Sequence, residues 1–184
     1  MSGHNKWSKI KHKKASSDAE KSKIFSKHSM LITMEAKKAN GDISSPSLTA
    51  AIDRAKKDSM PKDNIDRAVA KGFGADSANL NEVLYEAFGP GGVALLITTV
   101  TDNNNRTNQE IKHIFSKANL QIGAPGSAAW AFTKTADGYT PNSTVDLGAD
   151  DLEKFYSLME NLEDQNDVQE IFSTANLPDD ETEE

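Results

Sequence analysis

Apolar residues recur along this chain in three different rhythms, and each rhythm predicts a different kind of element. From Asp18 to about Ala39 the apolar positions Ile24, Phe25, Leu31, Ile32 and Met34 cover a broad helical face. Ser17, followed three residues later by Glu20, reads as a capping box that opens this helix, and Asn40-Gly41 supplies a left-handed stop. A second helix opens with Pro46 in its first turn, carries Leu48, Ala51, Ile52 and Ala55 at helical spacing, and ends before Pro61. A third, short helix begins at Pro61, turns Ile65, Ala68 and Val69 inward, and is predicted to close at Gly72. Together they predict a small three-helix bundle with its basic residues outside.

After a polar linker around Ala75 to Asn79 the rhythm changes to that of strands. Val83 to Phe88 and Val93 to Thr101, joined by Gly89-Pro90-Gly91-Gly92, read as a hairpin. Pro90 presets the second position of a type II turn, and Gly91 tolerates the positive φ of the third. Thr107 and Glu110 read as a further capping box, starting a helix with Ile111, Ile114, Phe115 and Ala118 inward. A strand is expected around Ala128 to Thr133, with Trp130 and Phe132 on one face, then a loop rich in Gly, Pro, Asn and Thr. Leu152, Phe155, Tyr156, Met159 and Leu162 form a strict helical stripe from Asp150 to about Asp164, and Val168 to Phe172 adds a last strand. The predicted class is α+β: an N-terminal three-helix basic domain followed by an α+β sandwich of about four strands and two helices. The expected divisions are a basic mobile arm over 1–16, the bundle over 17–75, the α+β domain over 80–176 and an acidic disordered tail over 177–184.

Charge sharpens this division. Through Ala75 the chain holds sixteen Lys and Arg against eight Asp and Glu, and after it five against twenty, within a net charge of −7. Charges act over about a Debye length, ~8 Å at physiological salt, so the local sign decides what a surface binds. The stretch MSGHNKWSKIKHKK sets Lys6, Lys9, Lys11, Lys13 and Lys14 around Trp7. Alone, a basic terminus is as readily a solvated tail. An indole among cations adds a reason for nucleic acid: the ring stacks on a base while the ammonium groups sit on phosphates. His12 joins the arm as a further contact, and Lys21 and Lys23 extend the surface onto the first helix. Like Lys27, Lys37, Lys38, Lys56 and Lys57, these two fit either that surface or a merely solubilising one.

Other chemistry is poorly represented. There is no cysteine, which excludes disulfides, thiol catalysis and Cys-based zinc sites. His4, His12, His28 and His113 lack paired metal-ligand spacing. Gly89–Gly92 has no following Lys-Ser or Lys-Thr pair, so it reads as a turn and not a phosphate cradle. No Gly-x-Ser-x-Gly elbow or converging carboxylate pair suggests an enzyme. No cofactor, metal, small-molecule substrate or membrane segment is expected, and a cytoplasmic location fits. Asp102-Asn103-Asn104-Asn105-Arg106-Thr107 places Arg106 beside a helix start that attracts anions, with a polar loop plus cap as the plainer alternative.

Taken in order, GHNKWSKIKHKK, SKIF at Ser22 to Phe25, MPKDNIDRA at Met60 to Ala68, YEAFGPGG at Tyr85 to Gly92, DNNNRT at Asp102 to Thr107, GSAAWAFTK at Gly126 to Lys134 and LMENLEDQNDVQEIF at Leu158 to Phe172 resemble the YebC/PmpR family. That resemblance implies an N-terminal helical domain followed by α+β domains. It also implies a role in gene expression, since some members are described as DNA-binding transcriptional regulators. Others act on translation, among them the mitochondrial translational activator of cytochrome c oxidase subunit I. It implies, too, a further α+β domain between the equivalents of Phe132 and Asp150, where this chain has only the residues from Thr133 to Ala149. The expectation is a regulator that binds ribosomal or messenger RNA, with the ribosome as partner. Duplex DNA is the alternative, and a protein adaptor using the acidic half is a third reading.

Overall fold

The computed structural model describes residues 18–74, 79–135 and 138–177. The arm through Lys14, the Ser17 half of the first capping box and the acidic tail from Pro178 lie outside the described residues. Three helices open the described chain: α1 (Asp18–Ala39), α2 (Pro46–Lys57) and α3 (Lys62–Phe73). Asn40 and Gly41 both take positive φ after α1, as the stop requires. Pro46 occupies the first turn of α2. The bundle closes on its own core of Ile32, Ala36, Leu48, Ala51, Ala55, Met60, Ile65 and Ala68.

Gly72 differs from its expected role. It does not end α3, which continues to Phe73, and it is buried against α1. A Cβ placed there would stand 2.5 Å from Cβ of Ala36 and 2.6 Å from the carbonyl oxygen of Thr33. The Thr33 hydroxyl donates to the carbonyl of Ala68 at 3.1 Å, one turn earlier on α3. The glycine therefore allows a close approach between α1 and α3.

The rest of the fold is built around a three-stranded antiparallel sheet in the order β1 (Asn81–Phe88), β2 (Ala94–Thr101), β6 (Val168–Ser173). β1 and β2 form the expected hairpin, with Phe88 opposite Ala94. At its turn Gly91 has φ 68°, and the Gly92 N–H donates to the Gly89 carbonyl at 3.1 Å. The central strand ALLITTVT is almost wholly buried because both sheet faces are covered. On one face Tyr85, Ala87, Leu95, Ile97 and Ile171 pack against α4 (Asn104–Lys117), through Ile111 and Phe115, and α5 (Ala149–Asp164), through Phe155, Leu158, Met159 and Leu162. On the other, Ala94, Leu96 and Phe172 meet Ala128, Ala131 and Phe132. The α+β class holds.

Three local expectations do not. α4 starts at Asn104 because Asn103 is its cap, its side chain accepting from the Arg106 N–H at 3.1 Å. Thr107 lies inside the first turn, and Ala118, at the other end, is an exposed cap. The expected strand at 128–133 is a 3-10 turn over Ala129–Ala131, and β3 (Phe132–Thr135) begins only at Phe132. The expected loop contains structure: β3 pairs with β4 (Gly138–Pro141), and β5 (Val145–Asp146) runs parallel to β7 (Ala175–Asn176).

Asp167 ties these elements together from the turn before β6. Its side chain is almost fully buried. Oδ2 accepts from the Thr107 hydroxyl at 2.6 Å, from the Arg106 guanidinium at 2.9 Å and from the Gln165 amide at 3.4 Å. Its backbone carbonyl accepts from the Val100 N–H at 2.9 Å. Burial pushes the carboxyl up, but these hydrogen bonds and the Arg106 charge outweigh it and hold the group below the ordinary Asp value.

Two predictions follow from these contacts. Helix propensity alone would make Gly72→Ala stabilising by about 1 kcal/mol, whereas the overlap with Ala36 and Thr33 predicts a loss of about 1–3 kcal/mol. Urea unfolding measures the sign, and a more stable variant would contradict the close approach. For Asp167, a carboxyl with depressed folded pKa contributes stability that is present above its unfolded value, about 3.9, and is lost as pH falls through the folded value. Asp167→Asn is expected to cost about 1–3 kcal/mol at pH 7, with the gap to wild type narrowing below about pH 4. Urea unfolding at pH 7 and pH 3 checks this, and a gap of constant size would contradict it.

Candidate nucleic-acid interface

Lys6, Trp7, Lys9, Lys11, His12, Lys13 and Lys14 precede the described residues, so among the expected contacts only Lys21, Lys23 and Arg106 are placed. Lys21 and Lys23 are exposed near the start of α1, on the helix into which the arm leads. Lys23 stands 3.4 Å from the Asp164 carboxylate at the end of α5. Arg106 lies in the first turn of α4, away from α1 in the chain, and is engaged by carboxylates: Asp167 at 2.9 Å and Asp102 at 3.0 Å. The structure thus makes Arg106 part of the anchorage of α4, and no contact among the described residues joins it to the lysines.

α1 presents three faces to different surroundings. Ile32 and Ala36 enter the bundle core. A second stripe faces the sheet-containing part of the fold: Lys23 pairs with Asp164, Lys27 donates to the Glu163 carbonyl, Leu31 lines a cleft against the sheet, and Lys38 reaches Glu82 at 2.8 Å. These positions follow the helical repeat, four, four and seven residues apart. From α2, Arg54 pairs with Glu170 on β6. Burial pulls the Lys38 ammonium down, but its hydrogen bonds to Glu82 and Glu35 outweigh that and raise its pKa. In every one of these contacts the cation belongs to the helices.

The third face of α1 borders α3 across a groove of about 420 Å³. Ser26 and Ser29 line it from α1, and Asn64, Arg67 and Lys71 from α3. The Arg67 guanidinium donates to the Asp63 carbonyl at 3.2 Å and to the Asn64 side-chain oxygen, which fixes its direction. The only sequence signal for this groove is the four-residue spacing of Arg67 and Lys71, which puts them on one face of α3.

A second arrangement also escapes the sequence pattern. Trp130 is 70% exposed, while the backbone around it is clamped. The buried Glu86 carboxylate accepts the N–H groups of Gly126, Ala128 and Ala129 at 2.6–2.8 Å. Burial raises this carboxyl, and the three donors more than reverse it, leaving its pKa lowered. Among the described residues no three of His, Asp and Glu converge to hold a metal, and no helix is long and apolar enough to cross a membrane.

Comparison with known proteins gives a consistent family. A family model described as the TACO1/YebC protein N-terminal domain matches residues 5–75, and one described as the TACO1/YebC second and third domain matches residues 80–137. A probable transcriptional regulatory protein of Trichlorobacter lovleyi is 51% identical over 136 residues, covering 73% of this chain and 55% of that protein. One of the same description from Desulfatibacillum aliphaticivorans is 43% identical over 182 residues, covering 98% of this chain and 72% of that one. The match thus spans little more than half of the first relative's length. The crystal structure of a conserved hypothetical protein from Aquifex aeolicus superposes with a TM-score of 0.77 at 26% identity, covering 91% of this chain and 95% of that chain. With both models matched in order and a relative alike over 98% of this chain, this chain belongs to the TACO1/YebC family.

Proposed function

We propose that this chain is a non-enzymatic nucleic-acid-binding regulator of gene expression that acts on RNA, as a translation factor at the ribosome. The observation that carries the reading is the concentration of cations in the N-terminal part, sixteen Lys and Arg through Ala75, within a chain of net charge −7. In this reading Trp7 stacks on a base, and Lys6, Lys9, Lys11, Lys13 and Lys14 neutralise phosphates, with Lys21 and Lys23 continuing the surface on α1. Binding steadies one geometry of ribosomal or messenger RNA and so shifts a population without chemistry.

RNA is favoured over duplex DNA by the character of the cations. Within the basic part no described helix displays the cluster of Arg, Asn and Gln expected of a major-groove reader, and lysine outnumbers arginine throughout it; Asn104, Asn105, Arg106, Asn108 and Gln109 do open α4, but there Arg106 is held by Asp102 and Asp167. The second reading, a DNA-binding transcriptional regulator, is supported by the description given to the relatives from Trichlorobacter and Desulfatibacillum.

Sedimentation of tagged protein from lysate through a sucrose gradient, with and without nuclease and at two salt concentrations, separates the two. Nuclease-sensitive migration with ribosomal particles, lost on deletion of residues 2–14, is the expected result. With five arm lysines on phosphates, the log–log dependence of the binding constant on salt has a slope of about −3.5 to −4.5. Absence from ribosomal particles together with tight, sequence-dependent duplex binding would replace this reading with transcriptional control.

A further inference from the structure

We infer that the groove between α1 and α3 is a second phosphate-binding track, separate from the arm, which takes the phosphodiester backbone of a nucleic acid. The inference rests on the reading of the chain as a nucleic-acid binder and adds to it a site within the folded part. Three features of the groove point to this occupant.

The first is its chemistry. Arg67 and Lys71 stand four residues apart on α3, facing the hydroxyl-bearing Ser26 and Ser29 of α1, with the Asn64 amide between. A planar guanidinium, a mobile ammonium and hydroxyl donors are the groups that take phosphate oxygens. Among the described residues no carboxylate lines the groove. A second cleft is a contrast: there Arg54 lies among Glu82 and Glu170, and its guanidinium is paired. Neither Arg67 nor Lys71 makes an ion pair among the described residues, whereas Lys23, Lys38, Arg54 and Arg106 all do.

The second is its shape. Gly72 and the Thr33–Ala68 hydrogen bond draw the two helices together at one end. Farther along, serines on α1 are too small to fill the space opposite Arg67. The resulting volume of about 420 Å³ lies within the range of small-ligand sites, ~300–1,000 Å³. Its guanidinium is already oriented by Asp63 and Asn64, which reduces the ordering cost of binding.

The third is its position. Ser26 lies eight residues into α1, about 12 Å from the helix start at 1.5 Å per residue. In sequence the lysine-rich stretch precedes that same end, so the groove lies on the helix that directly follows the most basic part of the chain.

The test uses the full chain and two fluorescein-labelled probes of mixed sequence, a single-stranded RNA 20-mer and a duplex DNA, with anisotropy read across a salt series. The joint substitution Arg67→Gln and Lys71→Gln is expected to reduce the magnitude of the log–log salt slope by about 1.4–1.8, two contacts at 0.7–0.9 each. Ser26→Asp, which adds a carboxylate to the groove and leaves both cations in place, is expected to weaken binding in the same direction. Lys112→Gln with Lys117→Gln, an equal loss of charge on the exposed face of α4, leaves the slope unchanged. Thermal unfolding establishes that each variant is folded. Wild-type binding that the groove substitutions alter no more than the α4 control would overturn the groove while leaving the proposed function standing. Wild type without salt-dependent binding to either probe would overturn both. Displacement of the probe by poly-glutamate as effective as by unlabelled RNA would assign the groove to an acidic peptide and overturn the phosphodiester assignment.

Discussion

The arrangement of this molecule depends on opposite charges meeting between its helices and its sheet. Lys23, Lys27, Lys38 and Arg54 each reach an oxygen of the following part of the chain, from Asp164, Glu163, Glu82 and Glu170 respectively. Three of these are ion pairs, of Lys23, Lys38 and Arg54, and at their exposure each contributes about 0–1 kcal/mol. Together they select which faces meet more than they add stability, because the N-terminal helices supply the cations and the following part supplies the carboxylates. The charge asymmetry of the sequence thus has an internal use. It also sorts the cations: Lys23, Lys38 and Arg54 are engaged by the protein's own carboxylates, while Arg67 and Lys71 face a groove lined by no carboxylate among the described residues.

Two further carboxylates perform a similar task deeper in the fold. Asp167 gathers the start of α4, the end of β2 and the turn into β6. Glu86 holds the segment around Trp130 by three backbone donors. Both are buried and both are held ionised by donors that outweigh burial. Part of the acidity of the chain after Ala75 is therefore structural.

Elements governed by neighbours in sequence were the legible ones. The stop after α1 and the opening of α2 at Pro46 follow from local signals, the β1–β2 hairpin from Gly89-Pro90-Gly91-Gly92, and α5 from an uninterrupted stripe. What escaped was set by distant partners. Gly72 resembles a stop until Ala36 and Thr33 are placed against it. Trp130 and Phe132 alternate like strand residues, yet Glu86, more than forty positions earlier, draws the backbone into a turn and leaves the indole outside. Arg106 resembles an anion contact because Asp167 is invisible to local pattern. The Asn103 cap was hidden in a run of three asparagines, any of which suits the position. The same limit applies to the candidate surface: residue type marks a lysine as basic, while its partner decides whether it is available.

The most direct test of charge-directed docking is small-angle scattering of the full chain at physiological salt. Reversing the helix side with Lys38→Glu and Arg54→Glu sets like charges opposite Glu82 and Glu170. The account predicts a larger radius of gyration for that variant and a return to the wild-type value when Glu82→Lys and Glu170→Arg are added. A radius of gyration unchanged by the first pair, or unrestored by the second, would contradict it.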